Sequence, residues 1–256
     1  MRFESRWFLF RKGSRLARAG RARFETELGE LADERLPAES LVPDYPLGCR
    51  RILISNDWYP TLLRPDVTVV NDHVERIEAD AVVAGGTARP ADCVIYGTGF
   101  QTTDMLAPIR VVGRDGRLLS DEWREGPEAH LGITVSGFPN LFLLYGPNTN
   151  LGHNSILFMI ESQVGWVVQA VQQLQRGTAW IDVRPEAARA FDDWVQARTR
   201  RTVFAGGCTS WYLTAGGRNT QNWPASTLTF RRRLRRLQLE DLELQPAAAV
   251  PVEVAA

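Results

Sequence analysis

Residues 141–174 set the register in which the rest of the chain is read. Leu141–Tyr145 (LFLLY) is a short apolar run without charge, the pattern of a strand covered on both faces. Gly146-Pro147-Asn148 breaks it as a turn. Apolar residues then run from Ile156 to Leu174 at helical length, with Asn154 or Ser155 able to cap the first turn. Ile156–Ile160 is apolar all round, so this helix is expected to start inside the protein. A strand, a Gly/Asn turn and a buried helix start leave free N–H groups and a positive dipole end pointing out of the turn. Such a place suits an electron-rich ligand, and it equally suits an ordinary strand–helix connection.

The same periodicities place other elements. Phe24, Leu28, Leu31 and Ala32 keep helical spacing, which predicts a helix over Arg15–Arg35. Asp57–Arg64 reads as a short helical turn. Val67–Val70 and Val74–Ala79 read as strands, and Asp92–Tyr96 as a further buried strand ending in Gly97-Thr98-Gly99-Phe100. Ile109–Val112 and Arg117–Leu119 flank Gly113–Gly116, a hairpin pattern. Phe191, Trp194 and Val195 mark a helix over Val183–Arg201. Phe230–Leu237 is basic, with a solvated face as its simplest reading, and Gln245–Ala256 reads as a disordered tail.

At 256 residues the chain is long enough for one or two cored domains. Thirty Lys and Arg balance thirty Asp and Glu, which argues against a nucleic-acid partner. The N-terminal stretch is locally basic, from Arg2 to Arg23 against the single acid Glu4. A solvated helix face is the simpler reading, a membrane-surface or partner-binding arm the sharper one. No apolar run reaches membrane-spanning length, so no span is expected. Cys49, Cys93 and Cys208 are far apart and odd in number, without a CxxC or clustered histidines. They predict a reducing, cytoplasmic setting, structural thiols at Cys49 and Cys208, no disulfide framework and no metal site.

Three loops carry candidate chemistry. Arg50 and Arg51, adjacent after a Gly-Cys turn, could grip an anion through fixed charge and paired donors. The glycines of Gly97-Thr98-Gly99 permit close backbone approach to a ligand, or simply a tight turn. Thr202–Trp223 is rich in Gly, aromatics and Asn, so it either packs under itself or faces a ligand. His153 could contact a ligand or merely pack, while Trp123, Trp180 and Trp194 read as core.

YPLGCRRILISNDWYPTL, DCVIYGTGF, AHLGITVSGFPNLFLLYGPNTNLGHNSILFMIESQ and GGCTSWYLTAGGRNTQNWP occur in that order. Together they resemble the C-terminal half of flavin-containing monooxygenases of the Baeyer–Villiger type, from about Leu41 to Leu237. The resemblance implies an α/β fold, a partial pair of Rossmann-like dinucleotide-binding domains, with FAD, NADP(H) and O₂ as reactants. It implies a helical segment over 1–40, part of the NADP domain over 41–100, part of the FAD domain with a mobile loop over 101–240, and a tail over 241–256.

By the same resemblance Arg51 is the catalytic arginine that stabilises a negative flavin peroxide, and Arg50 contacts the NADP 2′-phosphate. Thr98, Gly99 and Phe100 match the interdomain ATGF segment, with Gly97 in place of its alanine. Gly146, Pro147, Asn148, Thr149 and Asn150, with Asn154, Ser155 and Ile156, match the segment beside the flavin ring. Trp211 matches a loop tryptophan that touches NADP. No GxGxxG follows a strand, so the primary pyrophosphate grips of both cofactors are expected to be missing, and Met1 to fall inside a longer family sequence. The expected function is a partial monooxygenase acting on a ketone, an aldehyde or a soft heteroatom, inactive without an N-terminal half. The implied partners are a small-molecule substrate and either that separate half or a second copy. The alternative is a non-catalytic relic or partner-binding module of the same fold.

Overall fold

The structure is a computed structural model and describes residues 4–99, 101–102, 104–205 and 207–247. In chain order the elements are a 3-10 helix over Glu4–Phe10, α1 (Arg15–Leu31), α2 (Ala38–Leu41), α3 (Trp58–Leu62), β1 (Val74–Ile77), β2 (Ala81–Ala84), β3 (Thr87–Pro90), a 3-10 turn over Arg114–Gly116, α4 (Leu119–Glu122), α5 (Ile156–Gln175), β4 (Thr178–Val183), α6 (Pro185–Thr199), α7 (Thr227–Arg233), a 3-10 turn over Leu239–Asp241 and β5 (Leu242–Pro246). They divide into two units: Met1–Arg18, Pro46–Ile52 and Thr102–Ala256 form one, Ala19–Tyr45 and Leu53–Gln101 the other.

In the first unit α5 buries Met159, Gln163, Trp166 and Ala170 along one stripe. That stripe meets Ile181 and Val183 of β4, Phe191 and Val195 of α6, and Phe230 of α7 in one core. Pro185 opens α6 with φ already set for a helix. Ser226 caps α7, its hydroxyl accepting from the Thr229 amide at 3.2 Å. Phe230 and Leu234 are buried, so the basic segment there is one side of the core. Arg233 lies over Trp194 and Arg231 over Phe158, while Arg231, Arg232, Arg235 and Arg236 keep the exposed face that the sequence suggests. Trp123 is buried, and Trp180 and Trp194 are half-buried. In the second unit Leu28, Leu36 and Leu41 form a small core beside Tyr59, Leu62 and Val69, and β1-β2-β3 is an antiparallel meander.

The sheets among the described residues do not by themselves make a Rossmann-like layer. Both are antiparallel, with order β1-β2-β3 and β4-β5. Leu141–Tyr145, Val67–Val70 and Asp92–Tyr96 run without a ladder partner among the described residues, and Ile52–Ile54 does the same. Leu144 is 49% exposed, Ile54 95% and Ile95 90%. Apolar runs of this kind become strands when a neighbouring strand supplies a hydrogen-bonded ladder along at least one edge, and no described residues supply one. The α5 start is likewise not enclosed, since Leu157 is 68% exposed. The 109–119 hairpin is reduced to one antiparallel bridge between Val112 and Leu118.

Two further expectations are corrected. Leu242–Pro246, assigned to a disordered tail, pairs with β4 because Leu242 and Leu244 sit opposite Val183 and Ile181. Cys49 and Cys208, expected as free thiols, are joined by a disulfide with Cα atoms 6.3 Å apart. Their separation of 159 positions hides the pair from any local spacing argument. Cys93 is free and exposed. Among the described residues no helix is long and apolar enough to cross a membrane, and no cluster of His, Cys, Asp or Glu could hold a metal.

Candidate functional site

Most of the predicted site residues lie in the first unit, around the turn after Tyr145. Tyr145 and Asn148 both have φ near +60°, and Asn tolerates that region better than most residues. Gly146 passes so close to Gly132 that a side chain at Gly146 would run into the Gly132 carbonyl. Gln163 of α5, wholly buried, ties the two together: its Nε2 donates to the Gly132 carbonyl at 2.9 Å, and its Oε1 accepts from the Tyr145 amide at 2.8 Å.

Asn148, Thr149 and Asn150 are buried and bind the chain's own 219–223 segment. The amides of Asn148 and Asn150 donate to the carbonyls of Thr220 and Gln221, each at 2.8 Å, and the Trp223 amide donates to the Asn150 carbonyl at 2.9 Å. The Asn148 side chain donates to the Asn219 carbonyl at 2.9 Å, and that of Asn150 to Asn222 Oδ1 at 3.1 Å. Thr149 donates its hydroxyl back to the Gly146 carbonyl at 2.7 Å. These residues therefore act as the frame of the site. What the frame presents is a hollow of about 210 Å³ lined by Met105, Leu106, Leu143–Gly146, Asn150 and Gln221. It is mostly apolar with a polar edge, which suits the face of a flat heteroaromatic ring. The Asn222 side-chain nitrogen is buried without a hydrogen-bond acceptor, a donor left over on that frame.

At the α5 start Ser155 is the N-cap residue, but its hydroxyl makes no capping bond. The Asn154 side chain accepts from the Ser155 amide at 2.8 Å and donates to Glu4 Oε1 at 2.6 Å. The Thr227 hydroxyl closely contacts the same Glu4 oxygen. A carboxylate thus already sits by the helix start, where the dipole favours negative charge. His153 is buried between the rings of Trp7 and Phe10, with centroids 6.5 and 6.1 Å away. Burial lowers its pKa, with Glu4 opposing. Its surroundings are those of a packed ring.

The arginine pair lies in the same unit as this frame. Arg50 donates Nε to the Thr209 carbonyl at 3.0 Å. Arg51 is exposed, and its charge acts on the hydroxyl of buried Tyr212. Burial raises the pKa of Tyr212, and Arg51 pulls it back; Tyr145 is balanced in the same way. Trp211 is 42% exposed and lies against Tyr212 with centroids 4.4 Å apart; its carbonyl accepts from the Thr102 hydroxyl at 2.7 Å. Thr98 and Gly99 belong to the second unit, exposed and without regular structure, and Phe100 lies outside the described residues. Sequence reasoning missed Tyr145, Tyr212, Gln163 and Asn222. The aromatic content of 208–212 and the asparagines of 219–222 were the available signals, but neither says which side chain meets which.

No family model matches the chain. A Baeyer–Villiger monooxygenase from Streptomyces coelicolor is 47% identical over 82% of this chain, a stretch equal to 41% of that protein. An oxidised steroid monooxygenase solved with NADP superposes with a TM-score of 0.80 at 27% identity, over 93% of this chain and 47% of its own. OTEMO, solved with FAD and NADP, superposes at 0.78 and 26% identity, over 89% and 44%. Through a stretch that makes up about two-fifths of the Streptomyces protein, the chain is related to the Baeyer–Villiger monooxygenases.

Proposed function

We propose that this chain supplies part of the flavin and NADP surroundings of a Baeyer–Villiger-type oxygenase, and that activity requires a further half bearing the two pyrophosphate grips. The observation that carries this is the pairing of an apolar-faced hollow at Leu143–Gly146 with the exposed guanidinium of Arg51 in the same unit, whose charge acts on the buried Tyr212. The Rossmann-like part of this reading is supported by the strand-like apolar patterns of Ile52–Ile54, Asp92–Tyr96 and Leu141–Tyr145 and by the resemblance, while the runs themselves stay unpaired among the described residues.

Bound FAD, reduced by NADPH and reoxidised by O₂, would supply the oxygenation chemistry. The residues of this chain do the rest. Met105, Leu106 and Leu143–Gly146 line the hollow and would offer an apolar surface to the flavin ring. Asn222, bonded to Asn150 of the hollow's lining, carries a buried side-chain nitrogen without an acceptor. Arg51 would offer a planar guanidinium with several donors to a neighbouring anion, a geometry that a lysine lacks. Arg50 and Trp211 offer a charge and an aromatic face to a phosphorylated nucleotide. Asn148, Thr149, Asn150, Asn154, Ser155 and Ile156 position these groups through the backbone. Thr98, Gly99 and Phe100 enter on the resemblance alone, as does a ketone, aldehyde or heteroatom substrate.

The test is complementation. The chain is co-purified with the N-terminal half of a Baeyer–Villiger relative, and ketone oxygenation is measured with NADPH. Arg51→Ala should abolish oxygenation while flavin reduction by NADPH partly survives. Oxygenation at the unsubstituted rate in that variant would remove Arg51 from the chemistry. The second reading, a non-catalytic binding module, draws on the stripe of Leu157, Val164, Val168 and Val171 exposed along α5. Concentration-independent monomers in sedimentation would count against it.

A further inference from the structure

The disulfide lies among the contacts that hold the arginine pair. Cys49 directly precedes Arg50 and Arg51; Cys208 stands just before Thr209 and a short way before Trp211 and Tyr212. The two stretches meet along their length. Arg50 donates to the Thr209 carbonyl at 3.0 Å, and the Arg51 charge acts on the Tyr212 hydroxyl. A Cβ on Gly207 would touch the Pro46 ring at 3.2 Å, and one on Gly48 would press the Phe10 ring at 2.8 Å. Phe10 in turn packs with Val203, Phe204 and Tyr212 in one small cluster. A single covalent bond therefore sits between the buried Phe10 cluster and the exposed Arg50–Thr209 contact, and it ties the segment bearing both arginines to the loop bearing Trp211.

The two cysteine residues are not equally exposed. Cys49 is 2% exposed, whereas Cys208 is half-buried between exposed Gly207 and Thr209. An incoming thiolate meets the Cys208 sulfur first. The group it displaces is then Cys49, next in the chain to two guanidinium groups, and a thiolate beside fixed positive charge is a good leaving group.

We propose that Cys49 and Cys208 form a reversible redox modification site that fastens the Trp211 loop to the Arg50–Arg51 segment when oxidised and releases it when reduced. The reductant is a dithiol, small or carried on a protein. Its first thiolate bonds to Cys208 Sγ, the Cys49–Cys208 bond breaks, and Cys49 leaves as a thiolate. The second thiol of the reductant then attacks the mixed disulfide and expels the Cys208 thiolate. Two electrons pass to the cysteine pair, the reductant departs as a disulfide, and the cysteine thiolates take up protons from water as the pH dictates. Oxidation is the reverse, with a disulfide of the same class as acceptor. In a thiol-reducing compartment such a pair is a sensor, and not a permanent staple. Its consequence for nucleotide binding rests on the oxygenase reading above; the tether itself does not.

The experiment uses the full chain carrying Cys93→Ser, which removes the exposed free thiol. It is equilibrated in graded ratios of reduced to oxidised dithiothreitol under native conditions. Thiols are counted by alkylation and mass spectrometry, and amide exchange is followed in parallel. The expected result is one reversible two-thiol transition in a folded chain. Peptides containing Cys49 and Cys208 should exchange at least tenfold faster when reduced, while α5 and β4 stay unchanged. Cys208→Ala should exchange like the reduced form in every buffer. The proposal is overturned if the pair resists reduction until the chain unfolds, if the thiols never pair, or if reduction leaves exchange in both peptides unaltered. No readout depends on flavin or oxygenation, so failure of the oxygenase reading leaves the outcome unaffected.

Discussion

The Asn150 side chain donates to Asn222 Oδ1 at 3.1 Å, and the backbones of the two residues form a parallel bridge. The same Asn150 side chain accepts from the Tyr145 hydroxyl at 3.0 Å, so one residue links the wall of the hollow to the 219–223 segment. Asn150→Ala removes a buried donor and acceptor together and strands groups on both sides. The expected cost is about 1–3 kcal/mol, the usual penalty for unsatisfied buried polar groups. A urea midpoint indistinguishable from that of the unsubstituted chain would show that the frame does not depend on this contact.

How much of this was legible in sequence follows from the range of each interaction. α5 and α6 could be read within a few residues because their buried stripes, such as Met159, Gln163, Trp166 and Ala170, are written in local spacing. Leu141–Tyr145 has the composition of a strand and remains unpaired, because pairing depends on neighbours that composition does not name. The Leu242 and Leu244 alternation was misread as tail, since its partner β4 lies some sixty positions earlier. Asn148 and Asn150 were placed at the right turn, but their role as a frame depends on Asn219 and Asn222 folding back onto them.

Arg51 and Tyr212 form a pair whose titration can be followed without any cofactor. Burial raises the Tyr212 pKa, and the Arg51 charge opposes it by favouring phenolate. Arg51→Ala removes the opposing influence, so Tyr212 should ionise at a still higher pH. Ultraviolet tyrosinate absorbance, compared with and without Tyr212→Phe, isolates that step. An unchanged or lower Tyr212 transition in the Arg51 variant would mean that the guanidinium does not act on the phenol.

His130 is 5% exposed, and burial holds its pKa below 6.5, with Asp241 at 3.6 Å pulling the other way and Arg233 reinforcing the drop. A histidine depressed in the folded state is protonated more readily when unfolded. Its contribution to stability is therefore complete above pH 6.5 and is lost as pH falls through that value toward the folded pKa. His153 has the same sign. Together they should make stability fall between pH 7 and 5, by at most about 1.4 kcal/mol per pH unit for each. Asp182, whose pKa burial raises, works in the opposite direction at lower pH. Unfolding midpoints of His130→Gln across this range should show a shallower slope. An identical slope would assign the pH dependence elsewhere.

Gly146 is where the wall of the hollow crosses Gly132, and the two backbones meet with no room for a side chain. Neither chain can move aside freely: Gln163 clamps both, and Leu143 donates its amide to the Ile133 carbonyl at 2.8 Å. Gly146→Ala must therefore push the strand-like run and the 129–134 turn apart, and overpacking of this kind costs about 1–3 kcal/mol. The displaced residues include Leu144 and Tyr145, which line the hollow, so flavin affinity in the complemented enzyme should fall together with stability. Gly165→Ala is the matched control, because that glycine lies within α5 with open space where a Cβ would be, and alanine favours the helix. Equal stability losses in the two variants would show that the crossing at Gly132 is looser than its packing indicates.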